Sequence, residues 1–475
     1  MTEENRTSTL VSRRGFVRTV ATAAGITIVP RHVLGGTGYQ APSDTVNVAV
    51  IGYVHGIGTH NLNAMARTDN IVALCDLDES EAARAALDRS QVLERCPNAV
   101  RYRDYRVMLE KQKDIDGVVV ATPDHTHAVI AMAAMQLGKH VYVQKPLTRT
   151  ISEARALTEA ARRYKVVTQM GNQGHSEEGL RLMEEWIAAG AIGTVREVHS
   201  WTNRPVWPQG MPRPADSPAV PDGFDWDLWV GPSPMRPYNP TYHPFGWRAW
   251  QDFGAGALGD MGCHVLDAPF HILKLGAPTS IIASLGYNVV RVKNDEGVLV
   301  NQRVEYNDSY PPSSVLHMAF AARGDMPPVK LHWYDGGIMP ERPEDLEPER
   351  RIPSSGTLFV GDKGRLWCET YSESPRLVPE SAMMAFRPRP PKTLPRVEGG
   401  RGGHEKNWLD AIRNHTQAVS HFDYAGPFTE SVLAANVALR FPGTRLFWDA
   451  QSMRFTNMPE ADEFIQHQYR AGWSL

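Results

Sequence analysis

Asp260 and His264 stand four residues apart in GALGDMGCHVLD, a stretch punctuated by glycines that then takes helical periodicity. Where that turn is helical, the two side chains share one face. An imidazole placed so can exchange a proton near neutral pH while a carboxylate fixes its tautomer, or the two groups can meet substrate hydroxyls separately. A helix-capping Asp beside an interior His is the plainer alternative. Lys145, in HVYVQKPL, stands at the end of a strand-like run. Its amine can serve proton transfer if desolvation or a neighbouring cation lowers its pKa.

A third constellation is AVIGYVHGIGTHNL, in which a strand-like run breaks into Gly52, Gly56 and Gly58. The order VNVAVIG, THNLNAMART, IVALCD has the spacing of a β-α-β unit with apolar runs too continuous for a half-exposed strand. A crowded glycine turn lets backbone N–H groups reach a pyrophosphate at the start of a helix. The loop residues Gly52, Val54, His55, Gly56, Ile57 and Gly58 are therefore candidate cofactor contacts. The spacing departs from G-x-G-x-x-G, and Val54 and His55 stand where small residues would allow the closest approach. Asp76 closes the next strand, 24 residues beyond Gly52, where a carboxylate accepts bonds from ribose hydroxyls. That favours NAD over NADP, with Asp78 in LCDLDE as a rival acid.

The elements that must position these groups alternate strand and helix as far as VVTQM, which specifies a mostly parallel sheet. Ligands of such sheets gather at the carboxyl ends of strands. Thr122-Pro123-Asp124, Gln144-Lys145-Pro146 and Gly171-Asn172-Gln173 all fall at such ends. Beyond Ala277, segments such as SIIASLGYN, SSVLHMAFAA and GTLFVGDKGRLWCE read as strands divided by turns. Pro and Gly are dense from 205 to 231, an ordered loop or lid. Its tryptophans, Trp207 among them, could meet the apolar faces of sugar rings while Asn203 and Arg204 bond hydroxyls, although most tryptophans are core residues.

The combination of the β-α-β start with ATPDHTHA, GKHVYVQKPL, MGNQGHS and WRAWQDFGAGALGDMGCHVLD resembles the Gfo/Idh/MocA oxidoreductase family over roughly residues 46 to 450. It looks especially like the exported bacterial branch common in planctomycete-like genomes. The resemblance implies a Rossmann domain (α/β) followed by an α+β domain with a large, mainly antiparallel sheet, with substrate over the nicotinamide between them. It implies catalytic roles for Lys145, Asp260 and His264. Cofactor contacts carry over to Thr122, Pro123, Asp124, His127, Gln144, Lys145 and Asn172. Substrate contacts carry over to Gln173, His175, Trp247, Arg248, His404 and Asn407. The family's usual Glu-Lys-Pro reads Gln144-Lys145-Pro146 here, replacing a charge by a neutral amide. The outer face of the antiparallel sheet commonly supports association in this family, so a homodimer or homotetramer is expected.

The chain of 475 residues divides into an export signal and arm (1–43), the NAD-binding domain (44–173), the substrate and oligomerisation domain (174–450) and a C-terminal extension (451–475). Ser12-Arg13-Arg14-Gly15-Phe16-Val17 followed by TVATAAGITIV has the layout of a twin-arginine signal. Periplasmic export through that machinery, without a permanent membrane anchor, is the expectation. Fifty Lys and Arg against 53 Asp and Glu supply no field for nucleic acid. Four scattered cysteines form no disulfide framework. Three further readings stand beside oxidation of a sugar, sugar derivative or cyclic polyol with tightly bound, recycled NAD. They are NAD-dependent glycoside cleavage by transient oxidation and elimination, a non-catalytic carbohydrate-binding protein, and a metal hydrolase built on Asp124-His125-Thr126-His127 with His264. The last ranks lowest because alternating histidines alone are weak evidence for zinc, and no metal is expected.

Overall fold

The computed structural model describes residues 44–475, and the export signal expected at 1–43 lies outside the described residues. Strands β1 (Asn47–Ile51), β2 (Asn70–Cys75), β3 (Val100–Tyr102), β4 (Gly117–Val120), β5 (His140–Val143) and β6 (Thr168–Met170) form one parallel sheet in the order β3-β2-β1-β4-β5-β6. The central strands NVAVI and GVVV are buried almost throughout, because crossover helices cover both faces of a parallel sheet. The strand order reverses between β1 and β4, which opens a crevice at their carboxyl ends. The α/β expectation for the first half is met.

A nine-stranded sheet follows in the order β15-β14-β13-β7-β12-β11-β8-β16-β17. It comprises β7 (Val195–Trp201), β8 (Ser280–Leu285), β11 (Ser314–Phe320), β12 (Val329–Tyr334), β13 (Gly356–Gly361), β14 (Arg365–Glu369), β15 (Arg376–Val378), β16 (Leu446–Asp449) and β17 (Arg454–Phe455). Strands β9 (Val289–Lys293) and β10 (Leu299–Arg303) form a separate hairpin. Only β7 and β12 pair in parallel, so the sheet is mainly antiparallel as expected. In β11, Leu316, Met318 and Phe320 are buried while His317 is exposed, the alternation of a sheet packed on one face. The packed face meets the helices Gly256–Val265, Asp267–Ile272 and Phe422–Ala438.

Chain order and spatial order part company in two places. The helix His404–Asn414 lies within the stretch 174–450, yet its Trp408 and Leu409 are buried with Val48, Val50, Leu74, Val119 and Tyr142 of the first sheet. A Cβ at Gly117 would lie 2.7 Å from the Trp408 ring, so the glycine that opens β4 makes room for this indole. The extension from 451 starts by supplying β17 to the large sheet. It then returns to the first domain, where the Tyr469 hydroxyl donates to Glu153 at 2.7 Å.

The segment from 202 to 253 forms a core of its own from Trp207, Phe224, Trp226, Trp229, Tyr242 and neighbouring aromatics. Trp226 and Trp229 stack with ring centroids 4.7 Å apart. Short backbone contacts pin this segment to the end of β2: Glu79 N–H donates to the Gly223 carbonyl at 3.0 Å, and Asp78 bridges Phe224. The loop expected at 205–231 is thus ordered by aromatic packing, with one short helix, Trp226–Val230. Trp408→Ala is expected to lower the unfolding free energy by about 3–5 kcal/mol, read from urea denaturation of the full chain. A loss under about 1 kcal/mol would show that the helix does not complete the first core.

Candidate active site and dinucleotide cleft

A cleft of about 460 Å³ runs along the carboxyl ends of β1, β2, β4 and β5. At one end lies the glycine turn. Gly52 has φ +82°, and a Cβ there would lie 2.7 Å from the Ala121 carbonyl oxygen. A Cβ at Gly58 would collide with the Gly52 carbonyl, so this glycine permits close packing of the helix Ile57–Met65 on the turn. Gly56, with φ +61°, caps that helix, and a Cβ there would meet nothing within 4 Å. Gly52, His55, Gly56 and Ile57 line the cleft, whereas Val54 and Gly58 do not. Val54 instead buries its side chain in the core and donates its N–H to Asp76 Oδ2 at 3.0 Å.

Asp76 faces the cleft with its other oxygen bonded by the Asp78 N–H at 3.1 Å. Burial raises its pKa, and the two backbone N–H groups oppose the shift. The rival, Asp78, plays a different part, since its Oδ2 accepts from His55 and from His243, each at 2.9 Å. Burial opposes the charge, but the histidine bonds hold the carboxyl far below its usual range. Asp78 thus ties the glycine turn to the aromatic segment. Among the described residues, His55, Asp78 and His243 are the one group of three or more whose ligand-type atoms all lie within 4.8 Å of one another.

At the other end, Lys145 Nζ donates to Asp260 Oδ1 at 2.7 Å and to the Asp260 carbonyl at 2.6 Å. Arg248 Nε reaches the same carboxylate oxygen at 3.3 Å. Burial would raise the Asp260 pKa, yet the charges of Lys145 and then Arg248 hold it well below the carboxylate range. Asp260 therefore fixes the amine, which corrects the first of the two arrangements expected for it, in which it sets the His264 tautomer. His264 lines the cleft with its Nδ1 buried and without a protein partner, and its ring meets Tyr371 edge-on at 4.7 Å. Burial, with Lys145 next, lowers its pKa to about 3. Its imidazole is neutral near pH 7, so it does not carry an ionisable proton there without further tuning. Asp124 also lines the cleft, and burial pushes its pKa up to about 7 against the pull of Arg248 and Lys145.

Thr122, Pro123, His127, Gln144, Gln173, Trp247 and Arg248 reach the cleft as expected. His127 is held at both ring nitrogens, facing the Pro146 carbonyl at 2.9 Å and the Thr122 carbonyl at 2.8 Å. His125 faces the Trp229 and Phe253 carbonyls instead. The two histidines point to different backbone partners and do not converge with His264, which removes the geometric basis of the metal-hydrolase reading. Gln144 does not engage Lys145: its Nε2 donates to Asn61 Oδ1 at 2.8 Å, and its Oε1 has no protein partner.

Six expected substrate contacts and one further cofactor contact lie away from the cleft lining. Asn172 and His175 both bond the buried Asp267 carboxylate, at 3.1 and 3.0 Å, because that acid lies behind the cleft wall and needs neutralising partners. His404 is buried between the Ser176 hydroxyl and the Met170 carbonyl, and Asn407 accepts the Val419 N–H. Asn203 is exposed and bonds the Arg204 guanidinium, so this pair satisfies itself. Trp207 is buried in the aromatic core, its N–H bonded to Gln209 at 2.9 Å. The cleft also draws on Tyr105, His243, Tyr371 and Trp473, which no sequence motif marked. They arrive from a helix start (Tyr105), from loops and from the C-terminal segment, without a local pattern that signals contact.

Because Asp124 has a raised folded-state pKa, its contribution to stability is fully present below its unfolded value, near 4, and is lost as pH rises through about 7. Asp124→Asn is expected to remove that loss, so its stability relative to the natural chain should rise between about pH 4 and 7. Urea denaturation across that window checks this. A difference independent of pH would mean that Asp124 is not the titrating group.

Residues 46–172 match the family model described as Gfo/Idh/MocA oxidoreductase, NAD-binding Rossmann fold. Residues 194–307 match that family's C-terminal alpha/beta domain. The chain is 30% identical over 183 residues to levoglucosan dehydrogenase of Pseudarthrobacter phenanthrenivorans, covering 38% of this chain and 39% of that protein. It is 29% identical over 159 residues to inositol 2-dehydrogenase of Salmonella typhimurium, covering 33% and 45%. The chain thus spans less than half the length of these curated relatives. The solved structure of levoglucosan dehydrogenase in complex with NADH superposes with a TM-score of 0.54 at 19% identity, covering 84% of this chain and 98% of that one, a likeness of fold. With both of the family's domains matched in order, the chain belongs to the Gfo/Idh/MocA oxidoreductase family.

Proposed function

We propose that this protein is an NAD-dependent oxidoreductase that moves a hydride to or from a carbon bearing a hydroxyl in a sugar, sugar derivative or cyclic polyol. The observation that carries the reading is Lys145, held by Asp260 and lining the same cleft as the glycine turn and Asp76. The residues fit a dinucleotide: the close approach at Gly52 and Gly58 and the helix start at Ile57 suit its pyrophosphate, and Asp76 suits a ribose. NAD, when bound, supplies the hydride acceptor or donor. The names of the levoglucosan and inositol relatives support the substrate class.

The chain's own groups then have separate roles. Two of the three donors of the Lys145 ammonium are held by Asp260, which leaves one for the reacting oxygen. Neutral His264 offers a ring nitrogen to a substrate hydroxyl. Asp124, which lines the same cleft as Lys145 and has a pKa near 7, is a group able to take up or return a proton there. Arg248 and Trp247 bound the substrate side, next to the aromatic segment. Asp76 beside the ribose favours NAD over NADP, since a 2'-phosphate would meet like charge.

We further propose export in folded form through the twin-arginine route to the periplasm, supported by Arg13-Arg14 with Phe16 and the weakly apolar segment after them. Association through the open face of the nine-stranded sheet, as a dimer or tetramer, belongs to the same proposal. Cofactor carried out with the folded chain and recycled without release would suit a compartment poor in free nicotinamide.

Lys145→Met is expected to retain NAD binding while lowering kcat on a responsive sugar or polyol by about 10²-fold or more, measured by isothermal titration and NADH absorbance. Undiminished turnover would remove Lys145 from the chemistry, and failure of the natural chain to bind NAD or NADP would overturn the oxidoreductase reading. Release of an aglycone without net NADH would instead select glycoside cleavage. Asp76→Ala is expected to weaken NAD by about tenfold, or ~1.4 kcal/mol, and to narrow the preference over NADP. An unchanged preference would exclude Asp76 as its source.

A further inference from the structure

A second cavity of about 320 Å³ shares no lining residue with the dinucleotide cleft. Its walls come from Arg149 and Thr150 beyond the Lys-Pro turn, Gln251 and Asp252, the last turns of the helix Phe422–Ala438 with Arg440, and the C-terminal stretch around His467. Gln466, Gln468 and Asn307 lie at its mouth, whereas Gln251 and Asn436 are buried at its floor. Its size lies at the lower end of small-molecule pockets, roughly 300–1,000 Å³.

The polar atoms around this cavity have an unusual balance. Arg149 donates one Nη to the Gln251 carbonyl at 2.9 Å, while its Nε and other Nη are buried without a protein partner. Among the described residues, the Arg440 guanidinium packs over the Phe464 ring at 4.0 Å and makes no hydrogen bond or ion pair. Burial lowers the Arg440 pKa, with Tyr310 opposing and the charge of Arg149 adding to the shift. The nearby acids are committed elsewhere: Asp252 to Arg236 and Asp308 to Arg213. Glu463 is exposed. The buried donors of Arg149 and the half-buried guanidinium of Arg440 thus stand at one cavity with no paired anion.

Acceptors are left over in the same place. Gln251 spends its amide donors on the Tyr306 and Ser309 carbonyls, and its Oε1 is buried without a partner. Asn436 donates to the Ala255 carbonyl and the Tyr310 hydroxyl, and its Oδ1 is likewise unpaired. We propose that this cavity binds a small polyhydroxy carboxylate, its carboxylate between Arg149 and Arg440 and its hydroxyls donating to Gln251 and Asn436. A bare phosphate would pair the guanidiniums and leave the amide oxygens unserved. An amino acid would bring an ammonium toward two cations, with only the exposed Glu463 among the lining acids left to receive it.

The same residues give the site a route to the main cleft. Asn436 holds the Ala255 carbonyl, and the Ala255 backbone N–H supports the Asp124 carboxyl. Ala255 is also the residue before the helix that carries Asp260 and His264.

Titration calorimetry of the full chain with gluconate, with neutral glucitol and with inorganic phosphate tests the proposal, using the natural protein and its Arg440→Gln, Arg149→Gln and Lys145→Met variants. Gluconate is expected to bind at least tenfold more tightly than glucitol or phosphate. Either arginine variant should weaken gluconate at least tenfold, and Lys145→Met should leave it unchanged. Using two arginine variants keeps the test decisive if one of them does not fold. No gluconate binding, phosphate binding equal to gluconate, or gluconate affinity untouched by the arginine changes would each overturn the site. Loss of binding in Lys145→Met with retention in the arginine variants would place the ligand in the dinucleotide cleft and overturn it as well.

Discussion

The ion pair between Lys145 and Asp260 joins the two halves of the molecule at the point where chemistry is proposed. Lys145 follows β5 of the parallel sheet, and Asp260 lies on the helix Gly256–Val265 that packs on the antiparallel sheet. Both side chains are largely buried, with 16% and 14% exposure. Removing one partner from such a pair leaves the other charge without compensation, a cost of about 3–5 kcal/mol. The pair therefore sets the distance between the strand end and the helix, and the positions of Arg248, Asp124 and His264 follow from it. Lys145 and Arg248 both place positive charge beside the Asp260 carboxylate, so the protonation of Asp124 and His264 depends on that cluster.

The dinucleotide end solves a different problem, close packing of backbone. Gly52 and Gly58 allow the turn to lie against β4 and the first helix to lie against the turn. Val54 occupies a position where a smaller residue would open space, but it turns into the core and uses only its N–H, to orient Asp76. The irregular spacing thus preserves the functional parts of the turn and leaves His55 facing the cleft. His55 then meets His243 on the shared oxygen of Asp78, which fastens the aromatic segment over the turn.

A rigid polar frame stands behind the cleft wall. Asp267 is bonded by Asn172, His175 and Tyr424, and Asn172 also accepts from Ser420. Fully bonded buried networks of this kind fix the positions of the elements that bear them. Here they fix β6 against the helix Asp267–Ile272 and the start of the helix Phe422–Ala438.

Much of the fold was legible in the residues because it rests on local periodicity: continuous apolar strands, intervening amphipathic helices, and a glycine turn between β1 and its helix. The strand ends carrying Thr122, Lys145 and Gln173, and the helical pair Asp260 and His264, were legible for the same reason. Which polar residues face the cleft was not. Asn172, His175 and His404 sit close to strand ends or helix starts, yet buried charges and carbonyls reached from distant segments claim them. The partner of Asp260, the neutrality of His264 and the raised pKa of Asp124 likewise depend on which groups the tertiary structure buries together. Sequence by itself determined the elements and the chemical types available, because helix and strand periods are local. Tertiary structure alone decided which of those groups share a low-dielectric space, because desolvation and charge pairing act across the chain.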